Sequence, residues 1–185
     1  MKSYDPESPI LTKNDQEVLK KILDAAKMPD SEIARQLRLS QQAISKIREK
    51  LEGKGIIQGY MPIIDFKKLG IHVIVMLEVK VQSPVWKQLT ELQVAQRIRE
   101  IPQVITAFRV PESDITHVLV LGFRNMDKKD QFLMKLQTKY RDEIEIKSAY
   151  PISVNRIITM SPVGLLREVL DKKEPVLDHL FLQQN

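Results

Sequence analysis

Cysteine is absent from this chain of 185 residues. That removes disulfides, thiolate metal sites and thiol nucleophiles at one stroke. Histidine occurs only at His72, His117 and His179, with no metal-ligand spacing among them. No apolar run approaches the roughly 18 residues that a membrane-spanning helix needs. The most apolar stretch, 71–81, is shorter and rich in β-branched residues, so it reads as a buried strand. The opening MKSYDPESPI is polar and lacks the apolar core of a secretory leader. No glycine-rich phosphate loop and no nucleophile with a partnered base stand out. The expectation is a soluble, cytoplasmic protein that is not an enzyme and carries no cofactor or metal.

What is present is positive charge in one place. The net charge is +5. Between Arg35 and Lys54 lie six basic residues (Arg35, Arg38, Lys46, Arg48, Lys50, Lys54) and two acidic ones (Glu49, Glu52). That segment alone therefore carries +4, which points to a polyanionic partner.

The same segment has a helical grammar. Thr12 is an N-cap type, and Val18, Leu19, Ile22, Leu23 and Ala26 follow at helical spacing until Met28-Pro29 stops them. Asp30 is placed to cap a second, short helix bearing Ile33, Ala34 and Leu37. Ser40 caps a third with Ile44, Ile47 and Leu51 inward, ended by Gly53 and Gly55. Three helices with tight breaks, the third one basic, make a helix-turn-helix layout. Opposite the apolar stripe of the third helix stand Gln42, Ser45, Lys46 and Glu49, with Gln41 and Arg48 on a flank. Gln can pair bidentately with adenine, Ser and Lys can reach bases or phosphate, and the N-terminal amides behind Ser40 suit a phosphate. The expected DNA contacts are Ser40, Gln41, Gln42, Ser45, Lys46, Arg48, Lys50 and Lys54.

Beyond this module 56–64 reads as extended, and the pattern then changes. Strands are expected over 71–81, 104–110 and 115–123, and a fourth within 144–158. One helix should start at Ser83-Pro84 and run to about Glu100, with Leu89, Leu92, Ile98 and Ile101 inward; another starts near Asp127. The order β-α-β-β-α-β is that of a ferredoxin-like domain. The fold class is thus α+β, an N-terminal helix-turn-helix (winged-helix-like) domain and a C-terminal ferredoxin-like domain. The boundaries read as 1–60 for the DNA-binding domain, 61–70 for a linker, 71–160 for the second domain and 161–185 for a helical C-terminal extension. Pro162 opens that extension, with Leu165, Leu166, Val169 and Leu170 on one side and a second apolar cluster from Val176 to Leu182. Such a tail should pack onto a sheet or a neighbouring subunit.

The segment Ser40 to Tyr60, S-x-x-A-I-S-K-I-R-E-K-L-E-x-x-G-I-I-Q-G-Y, together with Leu11-Thr12-x-x-Asp15, the S-E-I-A-R-Q-L of the second helix, Asp65 and Leu69-Gly70, resembles the Lrp/AsnC (feast/famine) family of transcriptional regulators. The resemblance covers about 11–159. It implies a regulator that binds palindromic duplex DNA as a homodimer or higher oligomer through its sheet-bearing module. It also implies an amino-acid effector at the turn before the third strand of that module, placing an effector site at Glu112, Ser113 and Asp114. This chain departs from the family there, because the turn reads Val110-Pro111-Glu112-Ser113-Asp114, without the family's glycine.

Two other readings compete. Some proteins of this layout decarboxylate sirohaem-type tetrapyrroles, but they carry a His-x-Tyr-Asn cluster where this chain has Ser113-Asp114-Ile115-Thr116-His117. His117, on an alternating strand, reads as a packing residue, and Trp86 as a packing anchor. A helix-turn-helix used for protein contacts is the other, and the basic excess at the third helix weighs against it.

Overall fold

The computed structural model describes residues 11–110 and 114–171. The chain divides into two compact units, one of 1–62 with 160–185, the other of 63–159.

In the first unit α1 (Lys13–Asp24), α2 (Asp30–Leu37) and α3 (Gln41–Gly53) pack around Val18, Ile22, Ile33, Ala34 and Ile44. Thr12 opens α1 with a reciprocal capping box, its hydroxyl accepting from Asp15 N–H while Asp15 accepts from Thr12 N–H. α1 ends at Asp24, a turn before Met28-Pro29. The N-cap of α2 is Pro29, not Asp30, and makes no side-chain cap bond. Asp30 is instead the first helical residue, and its carboxylate is taken by Arg48. After α3 the chain is held back by Ile56 and Ile57 N–H bonds to Leu51 C=O, with Gly55 at φ +67°. From Gln58 to Asp65 there is no regular structure, so no strand of a wing forms there.

The C-terminal extension supplies α7 (Val163–Asp171). It packs on α1, with ion pairs Arg167–Asp24 and Lys20–Asp171. Lys20 and Asp24 lie on the side of α1 turned away from Val18 and Ile22. The apolar cluster of 176–182 lies outside the described residues.

In the second unit β1 (Val73–Val81), β2 (Val104–Arg109), β3 (His117–Phe123) and β4 (Ile144–Ser153) form one antiparallel sheet in the order β2-β3-β1-β4. Leu77 faces Leu119 on one side and Ala149 on the other. Alternation puts Val73, Val75, Leu77, Val79, Leu119, Leu121 and Phe123 on one face, where they meet Ile98 and the Phe132, Leu133 and Leu136 stripe of α6 (Met126–Lys139). The other face shows Met76, Phe108 and Tyr150, each 40% to 56% exposed.

The helix expected from Ser83 to Glu100 is two: α4 (Ser83–Trp86) and α5 (Glu91–Arg99). Thr90 and Gln93 form a second capping box that restarts the chain and resets its phase. Val94 and Ile98 then face the sheet, while Leu92, expected inward, is 72% exposed.

Candidate nucleic-acid interface

α3 presents its outer face because its inner face is pinned at three levels. Ile44 and Leu51 are fully buried. On one flank Lys50 Nζ donates to Asp15 Oδ2 at 2.5 Å, joining α3 to the start of α1. On the other Arg48 grips Asp30 of α2 through Nε at 3.0 Å and Nη2 at 2.7 Å, a fork that only a guanidinium offers. Its Nη1 donates to Tyr60 Oη at 2.9 Å, and its guanidinium carbon lies 5.7 Å from the centre of that ring. Tyr60 in turn donates to Glu52 at 2.8 Å, so the segment after α3 is tied to the helix.

Electrostatics follow this geometry. Burial works to raise the pKa of Asp15, but the bonds from Lys50 and Thr12 outweigh it and hold the carboxyl below its ordinary value. Burial likewise opposes the charge of Arg48, and the Tyr60 and Asp30 contacts overcome it. Arg48 and Lys50, both expected to reach DNA, therefore have their charges already matched within the unit.

The remaining expected contacts sit outward. Ser40 Oγ accepts from Ala43 N–H at 3.1 Å, which caps the helix and turns its first amides to solvent. Gln41, Gln42 and Lys46 are exposed and have no side-chain partner among the described residues, and Lys54 is exposed at the C-cap. Ser45 donates to Glu49 Oε1 at 3.2 Å, so that carboxylate is oriented along the helix. One residue escaped selection from the pattern. Arg38 ends α2 in the left-handed conformation, φ 56°, exposed at the turn into α3. Its charge was countable from sequence, but its exposed place at the tip of the turn belongs to the fold. Arg35, by contrast, is spent on Glu32, whose pKa falls to about 2 through that bond and one from Gln36.

Of the expected effector residues, Glu112 and Ser113 lie outside the described residues. Asp114 is held by two lysines, Lys80 and Lys147, each at 2.5 Å. Those bonds, Lys147 first, bring its pKa down to about 2. The charge that an α-ammonium would meet there is already answered. Among the described residues no group of His, Asp or Glu is arranged to hold a metal ion, and no helix is long and apolar enough to cross a membrane.

No family model matches the chain. An HTH-type transcriptional regulator of Pyrococcus furiosus is 27% identical over 132 residues, 71% of this chain and 83% of that one. The regulator LrpA of Pyrococcus horikoshii is 37% identical over 65 residues, 35% of this chain and 46% of its own. Among solved structures, Escherichia coli AsnC superposes with TM-score 0.64 at 23% identity, over 81% of this chain and 96% of that one. A Neisseria meningitidis transcriptional regulator solved with L-Met gives 0.63 at 18%, over 82% of this chain and 94% of that one. By sequence the chain is similar to HTH-type transcriptional regulators, LrpA among them, and it shares the two-module fold of AsnC.

Proposed function

We propose that the protein is a sequence-specific DNA-binding transcriptional regulator that reads duplex DNA with α3 as a homodimer or higher oligomer. The observation that carries this is the outer face of α3, where Gln41, Gln42 and Lys46 stand unpaired on a helix whose other charges hold it in place. Gln42 and Ser45 are the base readers, and Lys46, Lys54 and Arg38 meet phosphates. Arg48 and Lys50 act by orienting α3. Two readers related by a two-fold axis call for an imperfect palindrome with half-sites about one helical turn apart. An amino-acid effector would modulate binding; a structural neighbour from Neisseria meningitidis was solved with L-Met, and the turn at Glu112, Ser113 and Asp114 is one place for such a ligand, provided that it displaces Lys80 and Lys147 from Asp114.

The test is DNA selected from random sequence and titrated at several salt concentrations. Affinity should fall steeply with salt. Gln42→Ala should relax preference at one or two base pairs, by about 1–3 kcal/mol, and Lys54→Ala should weaken all sequences alike. Protein that selects no sequence and shows no salt-dependent shift of any DNA is not a regulator of this kind.

A further inference from the structure

The chain joins the two units twice. The first link, 58–65, has no regular structure and leads into β1 through a turn that Ile71 N–H closes on Phe66 C=O. The second leaves β4 through one 3-10 turn, Val154–Arg156, and runs over 157–162, again without regular structure, to α7. Both links spring from one corner of the sheet. Val73 and Ser153 are partners in register there, and Val154 N–H donates to His72 C=O at 3.0 Å.

The two links end on different helices of the first unit. Tyr60 holds the first to α3, since its hydroxyl accepts from Arg48 and donates to Glu52. α7 holds the second to α1. Val163, Arg167, Leu170 and Asp171 share one side of α7 by helical spacing, and Val163 and Leu170 are half-buried. On α1 the counterparts are Lys20, whose Nζ lies 2.5 Å from Asp171 Oδ1, and Asp24, which takes the Arg167 guanidinium.

The six residues of 157–162 reach no farther than about 20 Å. With α7 released, the first unit hangs on one link and can turn about it in any direction. With α7 docked it is held at two places, and only rotation about the line between them is left. In a dimer this contrast decides something that base contacts do not. Two readers at a settled separation gain from a second half-site only where the DNA offers it at that separation and helical phase. Readers on single loose links accept many spacings.

We propose that α7 is a strap that sets which half-site spacing the protein accepts, with Arg167 and Asp171 of α7 and Lys20 and Asp24 of α1 as its specificity-determining residues. The proposal rests on the reading of α3 as a DNA reader in a dimer, and it gives that recognition a determinant that is not on α3.

The full chain is tested on duplexes carrying two copies of the selected half-site, their centres moved apart one base pair at a time through a whole helical turn. A duplex with a single copy is the control. Arg167→Glu with Asp171→Lys turns both pairs into repulsions without changing the net charge, and it leaves α1 and α3 as they are. The wild type should favour its best spacing by about tenfold over one half a turn away, and the double variant by about threefold or less. Affinity for the single copy should stay within about twofold, because α3 is unaltered. Adding Lys20→Glu and Asp24→Lys rebuilds both pairs with opposite sign and should restore the spacing profile.

A flat wild-type profile overturns the strap, as does a profile that the double variant leaves unaltered or the fourfold variant fails to restore. So does a double variant that loses affinity for the single copy in step with the paired one, because α7 would then act only on the fold of the first unit. A half-site that is selected and read without spacing preference sinks the strap alone. Failure to select any half-site sinks the DNA reading, and the strap with it.

Discussion

Arg38 shows how much a single backbone angle decides. An L-residue in the left-handed region is held there at a cost of about 1 kcal/mol, and a glycine or asparagine is the usual solution. Arg38 occupies it at φ 56° with its side chain exposed. Arg38→Asn should therefore keep or slightly raise stability while lowering DNA affinity for every sequence, with a salt slope shallower by about one. Unchanged affinity in a salt titration would remove Arg38 from the interface. Lys50 makes the opposite case. Its ammonium answers Asp15, which is 1% exposed, so Lys50→Met should destabilise the first unit by about 1–3 kcal/mol in denaturant melts. The same pair sets an acid limit. The folded pKa of Asp15 lies below its ordinary value of 3.8, so its contribution is present above about pH 4 and is lost as pH falls through the folded value. In Asp15→Asn that part of the acid sensitivity should disappear. Both residues were legible in the sequence as polar positions beside apolar stripes. That Lys50 is a strut while Lys46 stays exposed was not, because about 40° on a helical wheel separates the two and only a neighbouring carboxylate decides between them.

Helices were readable where side chains close their ends. Ser40 and Thr12 opened α3 and α1 as their types require. The stretch 83–100 misled because its apolar residues fit one continuous helix, while the Thr90–Gln93 box starts a new one and turns Leu92 outward. Capping bonds are local but compete with periodicity, and the sum over the chain settles which wins. α7 belongs to the same scale. Its apolar residues suggested a sheet or a neighbouring subunit as partner; within the chain its anchor is α1, made by Arg167 and Lys20 ion pairs, with Leu165 and Val169 left 63% and 65% exposed. Exposed pairs of this kind contribute about 0–1 kcal/mol each. Deleting 161–185 should accordingly lower the melting temperature of the first unit by a few degrees while leaving the DNA half-site unchanged. Calorimetry that finds the same melting temperature would show α7 to be dispensable for that unit.

At the scale of the molecule, the sheet face carrying Met76, Phe108 and Tyr150 is the apolar surface that a second copy would cover. Light scattering at micromolar concentration should give at least twice the 21.4 kDa of one chain, and Phe108→Glu with Tyr150→Glu should lower that mass. A wild-type mass of one chain would contradict the two-fold reader.

The sequence by itself determined the two modules, the order of the strands and the outer face of α3. Each follows from period, capping and local charge, which act within a few residues of where they are written. Tertiary structure alone decided which cations are spent inside the first unit and where the C-terminal helix lands. Those outcomes join residues far apart in the chain, Lys50 to Asp15 or Arg167 to Asp24. Such pairs are fixed by packing geometry, since any exposed carboxylate could have answered the same cation.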